Sequence, residues 1–490
     1  MTQTQTAEIG QKAATGLRWG LLGTLVAKAG SFALGLVLAR LLAPEQFGIY
    51  ALAYAASQFL LHVNDVGIFA ATVQWRGKLE DMAPTATIMA FLFSVTIYLG
   101  FWFAAPLYTA GSTGGEATSV VRLLTVIILI DGLTSIRAAT LVRTFRQDKL
   151  TVANVIGFGA QAVVSIALAA GGAGAYSFAW GQLACNAVIA VLVLYFARMP
   201  LRLRFDRAVA LHLLKFGAPL AVSLGIEAIL LNADKTIVAD AAGATALGFY
   251  ALAFNISGWV PGIVGVPIRY VSLPSFSRLA EESRETLAEG VHRAIPLVFA
   301  AVLPATLIMV ILPHSVVTFL YGGKWGLAAP VLAFMGVVTI VRMIYPLVFD
   351  ILTALGATKA TVLLNFGWCA VLIPSLIVGA DLYGIKGAAI AQAAVSVVVA
   401  LPLCGFMLHR AGIGLAPMWS GLLRPIVGAL VAAAVMLPLA KVTGGIAVVQ
   451  LIVAGGVGTA AYVLVVVPRA EFGRLLSRLR PSPVPASEEI

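Results

Sequence analysis

The feature that most constrains this chain is a series of about fourteen apolar stretches, each about 20 residues long. A helix of that length spans the roughly 30 Å hydrocarbon core of a bilayer. The alternating pattern of β-barrel strands is absent, and a helix satisfies its own backbone in lipid. Only 11% of the residues are charged, against roughly 25% in soluble domains. The sequence therefore predicts an all-α polytopic membrane protein with stretches beginning near Trp19, Phe47, Pro84, Val120, Thr151, Tyr176, Leu213, Ala246, Ala294, Ala328, Thr361, Ile385, Leu422 and Ile446.

Two ten-residue segments, 200 positions apart, are closely similar. Residues 48–57 read GIYALAYAAS and residues 248–257 read GFYALAFNIS, with six of ten positions identical. Six predicted spans separate the copies, so both run in the same direction through the membrane. A parallel repeat of this kind is typical of transporters built from two like bundles. We expect two six-helix bundles related by an axis along the membrane normal, plus two C-terminal helices.

The basic residues predict the orientation. Of the 32 Lys and Arg, 23 lie in the termini and in the loops on the same side as the termini. Five lie within spans, and four lie in the opposite loops, namely Arg40, Lys324, Lys386 and Lys441. By the positive-inside rule both termini are cytoplasmic. The net charge of +11 then reflects topology and lipid headgroup contact, and no nucleic acid partner is expected.

The same pattern predicts the division of the chain. No hydrophobic core of a cleavable signal peptide precedes the first span, which we expect to act as an anchor. The predicted parts are a cytoplasmic N-terminus (1–17), an N-terminal six-helix bundle (18–197), a basic cytoplasmic linker (198–211), a C-terminal six-helix bundle (212–409), two extra helices (422–467) and a cytoplasmic tail (468–490).

Ionisable residues inside the spans are the main functional signal, because they are costly in lipid and usually face a cavity or a partner. The candidate substrate-binding bases are Lys28, Arg122, Arg342, Arg137 and Lys235. The candidate charge partners, or sites of proton or ion coupling, are Glu227, Asp131, Asp234, Asp65 and Asp350. Lys28, Asp131, Glu227 and Arg342 lie near mid-span. A fixed Lys28–Glu227 salt bridge that only joins the bundles is the structural alternative.

Other features carry less chemistry. The three cysteines lie in apolar stretches, the five histidines are scattered, and no phosphate-binding loop is present. We therefore expect no metal, no cofactor and no enzymatic activity. Trp19, Trp325 and Trp419 lie near span ends, where an interfacial belt would place them. Residues 276–293 mix charged and apolar positions, which predicts a short amphipathic helix on the membrane surface.

Four segments together resemble one known family. They are LARLLAPEQFGIYALA with the following DVG (38–53 and 65–67), LVRTFRQDKL (141–150), LNADKTIVADAAGATALGFYALAF (231–254) and YGGKW (321–325). Their order and spacing resemble Wzx-type polysaccharide flippases, the lipopolysaccharide biosynthesis proteins of the multidrug/oligosaccharidyl-lipid/polysaccharide exporter superfamily. Asn255 departs from the pattern, since arginine is more usual there.

The resemblance implies a bacterial plasma-membrane flippase. Its substrate would be an oligosaccharide repeat unit on undecaprenyl pyrophosphate, moved from the inner to the outer leaflet by alternating access for O-antigen, capsule or exopolysaccharide. Its partners would be that lipid-linked oligosaccharide, membrane lipids, a polysaccharide polymerase and a chain-length regulator. Burying a pyrophosphate requires cations, and Lys28, Arg122 and Arg342 are the first candidates.

Two other functions stay open. A small-molecule antiporter of the same superfamily would favour a cavity of acids and aromatics, whereas this chain has as many bases as acids within its spans. A membrane polysaccharide polymerase or ligase would require a large external loop with catalytic bases. The longest predicted outer loop (108–119) is rich in Gly, Ser and Thr and almost uncharged.

Overall fold

The computed structural model describes residues 23–64, 72, 79–111, 115–144, 146–197, 204–444 and 446–467. Within these ranges the ordered elements are helices, and no strand occurs. The all-α prediction is confirmed. The first seven helices are α1 (Gly23–Leu41), α2 (Pro44–Asn64), α3 (Leu79–Tyr108), α4 (Gly115–Thr125), α5 (Ile127–Arg143), α6 (Gln147–Ala170) and α7 (Tyr176–Ala197).

The second half of the chain has longer and more interrupted helices. Short π-helical turns lie at Pro261–Gly265, Ser396–Ala400 and Leu451–Gly455, and a 3₁₀ turn at Gly323–Ala328. The α-helices are α8 (Arg207–Ser257), α9 (Val266–Glu282), α10 (Arg284–Ile311), α11 (Pro313–Tyr321), α12 (Ala329–Ala354), α13 (Thr358–Val395), α14 (Leu401–Arg410), α15 (Ala416–Val442), α16 (Ala447–Gln450) and α17 (Gly456–Val466).

Two of the long helices are broken. Gly243 in α8 has φ 78° and ψ 175°, and Gly384 in α13 has φ 57°. Glycine adopts a positive φ without the steric cost that a Cβ brings. By length and composition, eleven described helical stretches could cross a membrane. The multi-pass membrane fold is therefore confirmed, whereas the count of fourteen spans stays a prediction.

The two copies of the repeat pack against each other through their glycines. A Cβ added at Gly48 would lie 1.8 Å from the carbonyl oxygen of Ala244, and one at Gly248 would lie 1.9 Å from that of Pro44. Each contacted carbonyl lies four residues before the opposite glycine. This reciprocity is what a local two-fold axis between α2 and the second part of α8 produces. The repeat therefore forms a close contact between the two halves of the molecule.

Trp325 corrects one expectation of the sequence. It is not an interfacial residue but is fully buried in the largest apolar core, which joins α1, α2, α8, α12 and α13. Its ring lies 5.5 Å from Phe47 and 5.9 Å from Phe249, centroid to centroid, and its Nε1 donates to the Ala39 carbonyl at 2.9 Å. The tryptophan is buried because it fills the space between the halves where these aromatic rings meet.

Residues 276–293 do not form a separate surface helix, so that prediction is wrong. α9 ends at Glu282, and α10 begins at Arg284. Ser283 between them has an extended backbone and its Oγ accepts from the Thr286 N–H at 3.0 Å. A serine cap of this kind starts a new helix, and the apolar residues of the segment then become the buried ends of two helices.

Candidate substrate site

A buried ion pair forms the base of the candidate site. Asp234 and Lys235 are adjacent on α8 and are 3% and 9% exposed. The Lys235 Nζ lies 3.3 Å from the Asp234 Oδ1, which also accepts the Lys235 backbone N–H at 2.9 Å. A buried charge without a partner would be strongly unfavourable. The aspartate therefore keeps a charged lysine stable inside the molecule.

Tyr250 connects this pair to α13. Its hydroxyl donates to the Gln392 Oε1 at 2.6 Å and lies 3.2 Å from the Asp234 Oδ2. In an unbroken helix Asp234 and Tyr250 would be about 24 Å apart along the axis. The break at Gly243 folds the second part of α8 back along the first, and this fold-back brings the two residues together.

Two cations share one aromatic ring. The Lys235 Nζ lies 4.2 Å from the centroid of Phe254, and the Arg342 Cζ of α12 lies 3.9 Å from the same centroid. Arg342 also donates to the Ser257 Oγ at 3.1 Å. A cation over an aromatic face is attracted by the ring quadrupole. Phe254 and Ser257 thus fix two positive charges in place on the part of α8 that contains the repeat.

Lys28 adds a third cation, from the other half of the chain. It is exposed on α1, and its Cδ lies 3.5 Å from the position of a Cβ at Gly262. One turn further along α1, the Phe32 ring packs against Trp259 at 3.9 Å between centroids. Basic side chains of α1, α8 and α12 therefore contact segment 254–262, with Lys28 doing so through its aliphatic part. Asp234 pairs with Lys235.

The remaining candidates lie elsewhere. Arg122 stacks on Trp102 at 4.6 Å and donates to its carbonyl, and the buried Arg137 donates to the Leu133 carbonyl. Asp131 accepts from Asn64 at 3.0 Å, and Asp350 accepts from Ser272. Asp65 and the side chain of Glu227 lie outside the described residues. Of the predicted residues, the structure brings together Asp234, Lys235 and Arg342 around Phe254. It places the aliphatic part of Lys28 beside Gly262, further along the same segment.

Sequence reasoning missed the neutral residues of the site. Tyr250, Phe254 and Ser257 all lie within the repeat, which we interpreted only as architecture. A comparison of the two copies could have singled out position 254, because the second copy has Phe254 where the first has Tyr54. Asn255 lies beside the site and its Oδ1 accepts from the Trp259 Nε1 at 3.3 Å.

A family model described as "Polysaccharide biosynthesis protein" matches residues 37–330. The chain belongs to this family. It is 25% identical to the succinoglycan biosynthesis transport protein ExoT of Rhizobium meliloti (strain 1021), covering 93% of this chain and 94% of the relative. It is also 27% identical, over 42% of each protein, to the lipopolysaccharide biosynthesis protein WzxC of Escherichia coli (strain K12). The resemblance to Wzx-type proteins is confirmed.

Solved structures show the same fold. The lipid II flippase MurJ in an inward closed conformation superposes with a TM-score of 0.74 at 14% identity, covering 93% of this chain and 99% of that one. A multidrug resistance MATE family transporter superposes with a TM-score of 0.64 in its inward-facing conformation, at 17% identity over 79% of this chain and 94% of that one. An outward-facing conformation gives 0.55, at 16% identity over 81% of this chain and 95% of that one. The chain therefore has the fold of this exporter superfamily.

Proposed function

We propose that this protein is a flippase that moves oligosaccharides linked to undecaprenyl pyrophosphate across the membrane by alternating access. The observation that carries the proposal is the pairing of Lys235 and Arg342 on the Phe254 ring, with the Lys28 side chain of the first half beside Gly262. A pyrophosphate has at least two negative charges, and burying them requires charged hydrogen-bond donors. Relatives named for polysaccharide and lipopolysaccharide biosynthesis support this substrate class.

The proposal includes an orientation. The excess of basic residues on one side favours an orientation with both termini in the cytoplasm, and the bacterial relatives favour the plasma membrane of a bacterium. The end of the molecule with Gly48 and Gly248 then faces outward, and its tight packing closes the path on that side. The bundles 18–197 and 212–409 would rock about this contact, with the helices in 422–467 outside the pair. A polysaccharide polymerase and a chain-length regulator would receive the flipped unit.

Binding of three lipids to the purified protein in nanodiscs tests the site. Undecaprenyl pyrophosphate should bind more tightly than undecaprenyl phosphate, and undecaprenol should bind weakest, because the cations recognise charge. Lys28→Ala and Arg342→Ala should each lower the affinity for the pyrophosphate about tenfold or more, since a charge-assisted hydrogen bond contributes about 1.5–3 kcal/mol. Lys28→Arg should retain more affinity than Lys28→Ala.

Arg122→Ala is the matched control, because Arg122 is also an arginine within a predicted span but lies on Trp102 outside the cluster. It should bind the pyrophosphate like the wild type. Equal affinity for the three lipids would contradict the proposal and favour a small-molecule antiporter. If Glu227→Gln restores export to a defective Lys28→Ala variant, Lys28 serves as a salt-bridge partner instead.

A further inference from the structure

The two copies of the repeat present different chemistry at equivalent positions. In the second copy the Phe254 ring is occupied by Lys235 and Arg342, and Ser257 accepts from Arg342. In the first copy the equivalent of Phe254 is Tyr54, which is 36% exposed. No cation contacts Tyr54 in the part of the chain that the structure describes. The first half thus offers an open aromatic ring where the second half has a cationic cluster.

Tyr54 is an exposed position on a helix that other helices surround. Its helix, α2, is contacted by α3, α4, α5, α7 and α8, so most of its surface is covered by protein. The less buried positions Tyr50, Tyr54 and Gln58 recur every four residues and form one stripe. Tyr54 and Phe254 each lie six residues after the glycines of the two-fold contact, about 9 Å along their helices. The local two-fold axis therefore places them at the same depth.

Tyr50, at one end of the stripe, packs against a neighbouring helix, whereas Tyr54 is more exposed. Tyr50 stacks on the buried Phe178 with centroids 4.1 Å apart and planes 9° from parallel, and Tyr54 lies 5.7 Å from Tyr50. One turn further on, Gln58 provides an amide. Among the described residues, neither the Tyr54 hydroxyl nor the Gln58 amide has a hydrogen-bond partner. An aromatic ring can pack against an apolar face of a ligand, and an amide can hydrogen-bond to hydroxyl groups. The two together suit a ligand that has both, such as a sugar.

We propose that Tyr54 and Gln58 bind the sugar next to the pyrophosphate, with the Tyr54 ring against the apolar face of a pyranose and the Gln58 amide on its hydroxyls. This inference rests on the proposed function, because the pyrophosphate on the opposite wall positions the sugar. The central space would then have two walls, a cationic wall from the second half that binds the pyrophosphate and an aromatic wall from the first that binds the sugar.

Two lipid probes distinguish the contributions of the two walls to binding. They are undecaprenyl pyrophosphate and the same lipid carrying one galactose. In nanodiscs the wild type should bind the galactosyl lipid about fivefold more tightly, which corresponds to roughly 1 kcal/mol, the contribution of one aromatic stacking contact. Tyr54→Leu should bring this ratio close to one, and Gln58→Leu should lower it. Tyr54→Phe should retain most of it. Phe254→Leu, at the equivalent position of the other copy, should weaken both lipids equally and leave the ratio unchanged.

The outcomes distinguish this inference from the proposed function. A protein that binds neither lipid contradicts the proposed function. A protein that binds the bare lipid, but shows no preference for the galactosyl lipid or keeps that preference in Tyr54→Leu and Gln58→Leu, contradicts only the sugar site. A Tyr54→Cys variant adds a second measurement. A membrane-impermeant maleimide should label it, whereas labelling only by a lipid-soluble maleimide would place position 54 against lipid and overturn the inference.

Discussion

Lys324 lies 2.9 Å from the carbonyl oxygen of Leu42, although the two residues belong to different halves of the chain. The same Nζ donates to the Arg40 carbonyl at 2.9 Å, and the neighbouring Trp325 Nε1 donates to that of Ala39. The last carbonyls of a helix have no intrahelical partners and attract positive charge. A turn of the second half thus caps the C-terminus of α1 in the first, next to the Gly48–Gly248 contact.

Removing this cap should loosen the closed end. In Lys324→Met the carbonyls of Arg40 and Leu42 lose their charged donor, so the two halves should separate more often. Spin labels at Leu41 and Leu327, which are 47% and 67% exposed, report this distance in a background without the three cysteines. We expect a short, narrow distance distribution in the wild type and a longer, broader one in Lys324→Met. Lys441 is another exposed lysine predicted on the same side, and Lys441→Met should leave the distance distribution unchanged. An unchanged distribution in Lys324→Met would show that the cap does not hold the end closed.

Substitution of the repeat glycines should act at the same end more severely. In Gly248→Ala the new methyl would overlap the Pro44 carbonyl, whereas in Gly159→Ala of α6 it would meet open space. Overpacking of a close helix contact costs about 1–3 kcal/mol. We expect Gly48→Ala and Gly248→Ala to lengthen the Leu41–Leu327 distance and to stop polysaccharide export, with the protein still in the membrane. Gly159→Ala should export normally, and normal export by both repeat variants would mean that the halves need no close approach.

The sequence predicted the parts of the fold that depend on hydrophobic composition and on the spacing of the internal repeat. Apolar stretches long enough to span lipid gave the helices, and the repeat at Gly48 and Gly248 indicated two like halves. The repeat could not predict that its glycines contact each other, because that depends on how the halves pack. Trp325 was misplaced for the same reason, since a position near a span end fits both an interfacial belt and a buried contact between bundles.

The charges of the site were predictable and their arrangement was not. Lys28, Asp234, Lys235 and Arg342 stand out because ionisable residues in apolar stretches are rare. The approach of Lys235 to Phe254 depends on Gly243, whose positive φ folds α8 back by an amount that no residue pattern specifies. The contributions of Phe254 and Ser257 were hidden because a phenylalanine and a serine are ordinary in a membrane helix. Phe254 contributes to the site through Lys235 and Arg342, and Ser257 through Arg342.

The paired serines of the repeat provide a matched test of that role. Ser257 accepts from Arg342, whereas Ser57 donates to the Ala53 carbonyl of its own helix at 2.9 Å. Ser257→Ala removes an acceptor for a charged donor and should lower the affinity for undecaprenyl pyrophosphate about fivefold, which corresponds to roughly 1 kcal/mol. Ser57→Ala loses only a bond within one helix and should bind like the wild type. Equal affinities for the two variants would show that Ser257 does not position Arg342.

Removal of the Asp234 charge should destabilise the protein through Lys235. In Asp234→Asn the buried lysine loses its counter-charge, and removing one partner of a buried pair costs about 3–5 kcal/mol. We expect a lower thermal unfolding temperature in detergent and less protein in the membrane. The double variant Asp234→Asn/Lys235→Met should recover much of both.

Asp148 and Lys149 form the matched comparison, since they are also adjacent, lie 3.8 Å apart and have side chains 46% and 40% exposed. Asp148→Asn should leave the unfolding temperature almost unchanged, because exposed ion pairs contribute little. If Asp234→Asn is as stable as Asp148→Asn, the buried pair does not stabilise the protein, and Asp234 is not what holds Lys235 in the site.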